Sequence, residues 1–274
     1  MTEGILRAYA NTPHGQIHYR HAGVGQPLLL LHQTASCSEQ FEGMIPSLAA
    51  SYRVLALDTL GYGMSDPPPH QYAVAEYADS VVAFLDALGI DRAYIFGHHT
   101  GAAIACEVAA GYPDRVDKLV VYGVPYWDEP SEMLESRIRY FPLKDDGSHL
   151  MEMWDDITGR MREGLFPKPY SEEALETIQK EVVWKLMAGE RRNEAYIAIY
   201  RHSRDILERL PLIQAPTLVM SGDQDGQRPA LEPVAARMRR NRTRMLKGGS
   251  YFTAYDDPEA LAREILDFLA NPGI

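Results

Sequence analysis

Two adjacent histidines, His98 and His99, lie between Gly97 and Gly101. The segment before them, Ala93–Gly97, reads as a short apolar strand. The segment after them, Thr100–Tyr112, reads as a helix that stops before Pro113. His99 therefore falls at a helix N-terminus. The positive end of the helix dipole disfavours an imidazolium there, and a neutral imidazole is a general base. A base so placed suits proton abstraction beside a carbonyl, retro-aldol or retro-Claisen cleavage, dehydration, or activation of water. His98 ends the strand with its side chain directed away from that of His99, and reads as a buried histidine. Other reactive types are sparse. The 2 cysteines, Cys37 and Cys106, show neither disulfide nor zinc-ligand spacing. Cys37 lies near a helix start, where a thiol pKa can fall; it is a candidate substrate contact, set against a buried, inert thiol. No glycine-rich phosphate loop follows a strand.

The elements that must position this base follow from the pattern of the whole chain. It has 274 residues, 46% hydrophobic and 24% charged, enough for one large core. The net charge of −11 argues against a nucleic-acid surface or a polybasic membrane contact. Met1–Ala10 lacks a basic stretch followed by an apolar one, and no apolar run approaches the ~20 residues that span a bilayer. The expected location is the cytoplasm.

Ile5–Ala10 and Gln16–His21 flank Thr12-Pro13-His14-Gly15 and read as a hairpin. Pro27–Leu31 is a continuous apolar run of the kind buried on both faces. A helix over Ser38–Ala50, a strand over Tyr52–Asp58, a helix over Val74–Leu88 and a strand over Lys118–Gly123 complete the first half. Strands alternating with helices imply right-handed crossovers and a parallel sheet covered on both faces. The alternation breaks near Trp127 and resumes at Thr217–Ser221, followed by helix Pro229–Arg239, strand Thr243–Lys247 and helix Pro258–Leu269. The chain thus divides into a core, residues 1–126 and 211–274, and a helical insertion, 127–210, over one end of the sheet. The insertion is rich in Met, Trp and Tyr, among them Met151, Met153, Trp154, Met161, Trp184, Tyr196 and Tyr200. Trp127 and Trp154 are candidate pocket residues.

Three segments are specific together: Leu31-His32-Gln33-Thr34, Asp58-Thr59-Leu60-Gly61-Tyr62-Gly63-Met64-Ser65-Asp66, and Gly97-His98-His99-Thr100-Gly101. The chain resembles the α/β-hydrolase superfamily over essentially its whole length. The resemblance implies an eight-stranded, mostly parallel sheet with a helical cap after strand six. The Asp58–Asp66 segment resembles a structural loop of the family, D-x-x-G-x-G-x-S. The third segment resembles the nucleophile elbow, G-x-S-x-G, in which a tight strand-to-helix turn lifts the central side chain above the sheet. Here that residue is His99, not serine. Val219–Asp225 resembles the segment that supplies the catalytic acid, which implies Asp225, with Asp223 and Asp128 as alternatives. Tyr251 stands where the family's triad histidine is expected, and no histidine follows His202.

Two coupled losses argue against Ser-His-Asp hydrolysis. What remains is an imidazole at the elbow that reaches toward Asp225, with Tyr251 alongside as proton donor or as a packed ring. The resemblance places the Thr34 and Thr100 N–H groups at the oxyanion hole. His32, Gln33 and Cys37 are candidate substrate contacts, although His32 also suits a structural role beneath the hole. A metal site from His32, His99 and Asp225 lacks a supporting ligand spacing, so neither metal nor cofactor is expected. The sequence thus points to a monomeric or homodimeric α/β enzyme whose partner is a small, largely apolar carbonyl compound. Hydrolysis, carbon–carbon cleavage and elimination stay open, as do water activation and an acyl-imidazole route. A silent binding protein on the same fold is the alternative from another class.

Overall fold

Leu28, Leu29, Leu30 and Leu31 are all fully buried, and they alternate between two separate apolar clusters. A strand directs successive side chains to opposite faces, so this run requires cover on both sides of its sheet. The computed structural model describes residues 4–162 and 169–274, the side chains of 160–162 excepted. The Met161 side chain and Pro167 fall outside the described residues.

In chain order, β1 (Leu6–Thr12) and β2 (Gly15–Ala22) are followed by β3 (Pro27–Leu31), α1 (Ile45–Ala49), β4 (Arg53–Leu57), α2 (Val74–Ala87), β5 (Ala93–His98), α3 (Thr100–Gly111) and β6 (Val116–Tyr122). The insertion contributes α4 (Ser131–Glu135), α5 (Ser148–Arg162), α6 (Glu172–Ala188), α7 (Glu194–His202) and α8 (Ile206–Arg209). Then come β7 (Thr217–Gly222), α9 (Leu231–Ala235), β8 (Asn241–Leu246), α10 (Thr253–Asp256) and α11 (Pro258–Ala270). The eight strands form one sheet in the order β1-β2-β4-β3-β5-β6-β7-β8. β2 runs antiparallel to β1 and β4; every other neighbour pair is parallel. This is an α/β-hydrolase fold. Among the described residues no helix is long and apolar enough to cross a membrane.

One face buries Leu29, Leu31, Ile95 and Val121 with residues of α2, α3 and α9. The other buries Leu28, Leu30, Phe96 and Val120 with α1 and α11. Helix ends follow local chemistry. Ser171 caps α6 by accepting the Ala174 N–H at 3.2 Å, and Asp257 caps α11 by accepting that of Ala260 at 3.0 Å. Two expected helices are shorter. Ser38–Ala50 divides into a 3₁₀ turn, Ser38–Phe41, and α1, because Pro46 has no N–H and fits only a helix's first turn. Pro229–Arg239 becomes a 3₁₀ turn, Arg228–Ala230, and the five residues of α9, with Pro233 limiting the backbone bonds available.

Buried polar groups tie the loops at the C-terminal edge of the sheet. Asp58 accepts the Ser38 and Met64 N–H groups at 2.6 and 2.8 Å and meets His18 Nδ1 at 2.8 Å. Burial opposes its charge, but these contacts hold the carboxyl below its ordinary range. The D-x-x-G-x-G-x-S segment is therefore a structural staple. His32 Nε2 accepts the Thr59 N–H at 2.9 Å, which leaves the ring proton on Nδ1, 2.7 Å from the Gln33 carbonyl. Burial lowers His32, and burial, with repulsion from His99 and His32, pushes His98 well below the usual histidine range.

The sign of the pH dependence follows. In the unfolded chain both rings bind protons below about pH 6.5, whereas in the fold they stay neutral, so stability is lost as pH falls through that value. His32 and His98 together should make the fold less stable at about pH 6 than at about pH 7.5, by up to about 1.5 kcal/mol where both rings stay neutral. Asp256, which burial pushes up to about 6, is half-protonated in the fold at the lower pH and offsets about 0.4 kcal/mol of this loss, so the net difference is about 1 kcal/mol at most. Urea unfolding at the two pH values measures the difference; equal stabilities would show that the rings take up protons within the fold.

Candidate active site

The turn between β5 and α3 is closed by contact. A Cβ on Gly97 would lie 2.3 Å from the Gly101 carbonyl oxygen, and one on Gly101 would lie 2.1 Å from that of Leu31. Only hydrogen fits at either position. The backbone between them turns at His99, with φ +50° and ψ −111°, the one non-glycine residue with positive φ among those described. This lifts the imidazole out of the sheet edge at the start of α3.

The loop after β7 brings the acid. Asp225 is buried, and its Oδ1 accepts the Gln227 N–H at 2.7 Å. Its Oδ2 faces His99 Nε2 at 2.8 Å. Of the three acids weighed from sequence, Asp225 alone meets the ring. Asp223 accepts the Gly248 N–H at 2.8 Å, and Asp128 is exposed beside Arg204. A carboxylate is acceptor-only, so the contact fixes the Nε2–H tautomer. His99 Nδ1 has no hydrogen-bond partner among the described residues, and its lone pair is left for chemistry.

The ring is packed on its other sides. Tyr251 meets it edge-on at 5.0 Å between centroids, and Tyr122 stacks at 6.3 Å. Gly123, at φ +63°, lies so close that an added Cβ would be 2.6 Å from Nε2. The Tyr251 hydroxyl, a proposed proton donor from sequence, donates instead to the Thr34 carbonyl at 2.9 Å. Tyr196 donates to the same carbonyl at 2.5 Å.

A cavity of about 720 Å³ opens beside His99. Thr34, Thr100 and Asp225 lie at its base; Trp127, Tyr196, Ile199 and Tyr200 of the helical insertion form an apolar wall. Trp127 and Tyr200 meet edge-on at 5.3 Å. The backbone N–H groups of Thr34 and Thr100 have no acceptor among the described residues. An anionic oxygen between them would find two free donors beside the ring. No serine or cysteine lines this cavity among the described residues, and no cluster of His, Cys, Asp and Glu there could hold a metal.

Four expected substrate contacts lie elsewhere. Both nitrogens of His32 are occupied by the loops it joins. Gln33 is fully buried, and its amide donates to Glu181 Oε1 of α6 at 3.2 Å. Cys37 is buried away from the cavity; burial, with the Asp58 charge, pushes its thiol far above its ordinary range, opposite to the expected activation. Trp154 packs with Ile157, Ile178 and Phe252, because its face of α5 turns into a small apolar cluster between the insertion and the segment around Phe252. The reading from sequence also missed Gly123, for which a glycine directly after a strand was the available signal. The spacing of Tyr196 and Tyr200, with Ile199 between, signals one face of a helix.

The alpha/beta hydrolase fold family model matches residues 26–229. An uncharacterized protein of Mycobacterium tuberculosis is 38% identical over 103 residues, 38% of this chain and 30% of that protein's length. A 2-hydroxy-6-oxononadienedioate/2-hydroxy-6-oxononatrienedioate hydrolase of Paraburkholderia xenovorans is 29% identical, covering 93% of this chain and 91% of its own. A solved hydrolase from Pseudomonas aeruginosa superposes with a TM-score of 0.80 at 24% identity, covering 96% of this chain and 98% of the other. That likeness is one of fold. With the elbow, the sheet order and the match over residues 26–229, the chain belongs to the alpha/beta hydrolase fold family.

Proposed function

We propose that this chain is a cofactor-independent hydrolase of a small, largely apolar carbonyl compound, with His99 as general base and Asp225 as the group that orients it. The observation that carries the reading is the 2.8 Å contact between His99 Nε2 and Asp225 Oδ2, inside a cavity with two unpartnered amides. The similarity to a hydrolase of an oxo-compound over nearly the full chain supports hydrolysis over elimination.

The steps follow from the tautomer. A water at Nδ1 gives up a proton to that nitrogen as its oxygen attacks the carbonyl carbon. The ring becomes an imidazolium, and the adjacent carboxylate stabilises its charge. The carbonyl electrons move to oxygen, between the Thr34 and Thr100 N–H groups. On collapse, the bond to the leaving group breaks and the Nδ1 proton passes to that group, which restores the neutral ring. Nδ1 adjoins the ring carbon that carries Cβ, so proton transfer meets less crowding there than attack on a carbonyl carbon. Water activation is thereby favoured over an acyl-imidazole. Tyr251 serves as wall and clamp, its proton engaged by Thr34.

The test is a panel of small aryl and alkyl esters and 1,3-diketones with wild type, His99→Ala and Asp225→Asn. General-base catalysis contributes roughly 10²–10⁴-fold, so each substitution should lower kcat/KM by at least about 10²-fold. Equal turnover by wild type and His99→Ala would overturn the mechanism, and binding without turnover would favour the silent binding protein.

Gly123→Ala provides an independent test of ring placement. The new methyl would occupy the space of Nε2 and drive the ring off Asp225, so activity should fall by at least about 10-fold. Gly89→Ala is the control: its φ is also +63°, but nothing lies within 4 Å of the added Cβ. It carries the same backbone penalty with no collision. Equal activity in the two variants would show that the ring's position is not what catalysis depends on.

A further inference from the structure

Behind the apolar wall of the main cavity lies a second, smaller recess of about 30 Å³. The two spaces share Tyr196 and Tyr200, and Ala35 of the small one follows Thr34 of the large one. Its charges are unbalanced. Arg137, Arg139, Lys185 and Arg192 line it, with Asp156 as the one carboxylate. Arg137 is paired outward with Glu129. Asp156 is shared: it takes Arg139 Nη1 at 3.0 Å and Lys185 Nζ at 3.5 Å.

Arg192 has no carboxylate within ion-pair distance among the described residues. Its Nη1 donates to the Gly189 carbonyl at 2.8 Å, its Nε is buried without a partner, and its guanidinium lies 5.4 Å from the centre of the Phe141 ring. Exposed Glu190 acts on it only as a neighbouring charge. Lys185 is 4% exposed. Arg137 and Arg139 are half-exposed and Arg192 is half-buried, so solvent carries part of this charge. The cost of burying a cation without an anion falls on the partnerless Nε of Arg192 and on buried Lys185, whose Asp156 is shared with Arg139.

We propose that this recess is a carboxylate-binding subsite, and that the substrate is a small carbonyl compound carrying a carboxylate at the end remote from the reacting carbonyl. The inference rests on the hydrolase reading above and adds the substrate class. The size agrees: about 30 Å³ holds roughly two water-sized groups, the number of oxygens in one carboxylate. The chemistry agrees as well, because a guanidinium presents paired donors in the geometry of a carboxylate, and the buried ammonium adds a point charge. A substrate with its carbonyl beside His99 would extend past Tyr196 and Tyr200 to reach Arg192 and Lys185.

Matched pairs of substrates test this. Monoaryl esters of succinic, glutaric and adipic acid are compared with aryl esters of the same acyl length that end in a methyl group. At physiological ionic strength, wild type should favour one or more carboxylate members by at least about 10-fold in kcat/KM, chiefly through KM. Arg192→Met and Lys185→Met should each bring the ratio close to one. Turnover of both members with no preference in wild type overturns the subsite and leaves the hydrolase reading standing.

Calorimetry with free glutarate and adipate provides the arm that needs no turnover. Both wild type and His99→Ala should bind a dicarboxylate, and Arg192→Met should not. Dicarboxylate binding that depends on Arg192, without turnover of any ester, keeps the subsite and overturns the hydrolase reading. Absence of binding, or binding unchanged in Arg192→Met, overturns the subsite. The wild-type preference requires no variant, so a substitution that fails to fold does not remove the test.

Discussion

Gly97, Gly101 and Leu31 pack so closely that no side-chain carbon fits between them, and the remaining features of the site depend on that contact. Because α3 begins directly against β3, the connecting residue must turn at positive φ. A backbone of this kind costs of order 1–3 kcal/mol in a residue other than glycine. The sheet and both apolar layers hold it in place. Two consequences follow for His99. Its side chain leaves the core, and its ring occupies space that Gly123 leaves open and that Tyr122 and Tyr251 bound.

An imidazole at the elbow changes which part of the ring meets the acid. A serine there would need a separate histidine to bridge to Asp225. Here the elbow residue itself spans the gap and presents Nε2 to the carboxylate, so the nitrogen nearer the backbone, Nδ1, has no hydrogen-bond partner among the described residues. Tyr251 then fills the region that a bridging histidine would otherwise need. Its hydroxyl bonds to Thr34 rather than to His99. His99 at the elbow and Tyr251 beside it therefore fit one another in a single packed arrangement.

The sequence made the fold legible because its signals are local and strong. The four-leucine run in β3, the glycines around His99 and the spacing to Asp225 each carry a constraint that a few neighbouring residues express. The contacts it missed depend on distant parts of the chain. Cys37 stands near a helix start, but burial first, and the Asp58 charge second, raise the thiol rather than lower it. Trp154 and Trp127 belong to the same apolar insertion, yet one faces the small cluster it forms with Phe252 and the other the cavity. Helix orientation decides this, and composition does not record it. The cationic recess draws on the stretch from Arg137 to Phe141, on α5, α6 and the turn before α7, so no single motif announces it.

The insertion is also tied to the floor of the site at the loop it covers. Tyr196 of α7 and Tyr251, before α10, donate to one acceptor, the Thr34 carbonyl. Glu181 of α6 receives the Gln33 amide at 3.2 Å and the Tyr255 hydroxyl at 3.1 Å. These bonds flank the Thr34 N–H, one of the two free donors. Lifting α6 and α7 would therefore break buried hydrogen bonds to the donor loop as well as open the cavity. Each such group left unpaired in the interior costs about 1–3 kcal/mol. The roof and the Gln33–Thr34 loop thus form one cooperative unit, and the closed arrangement holds the Thr34 amide in place.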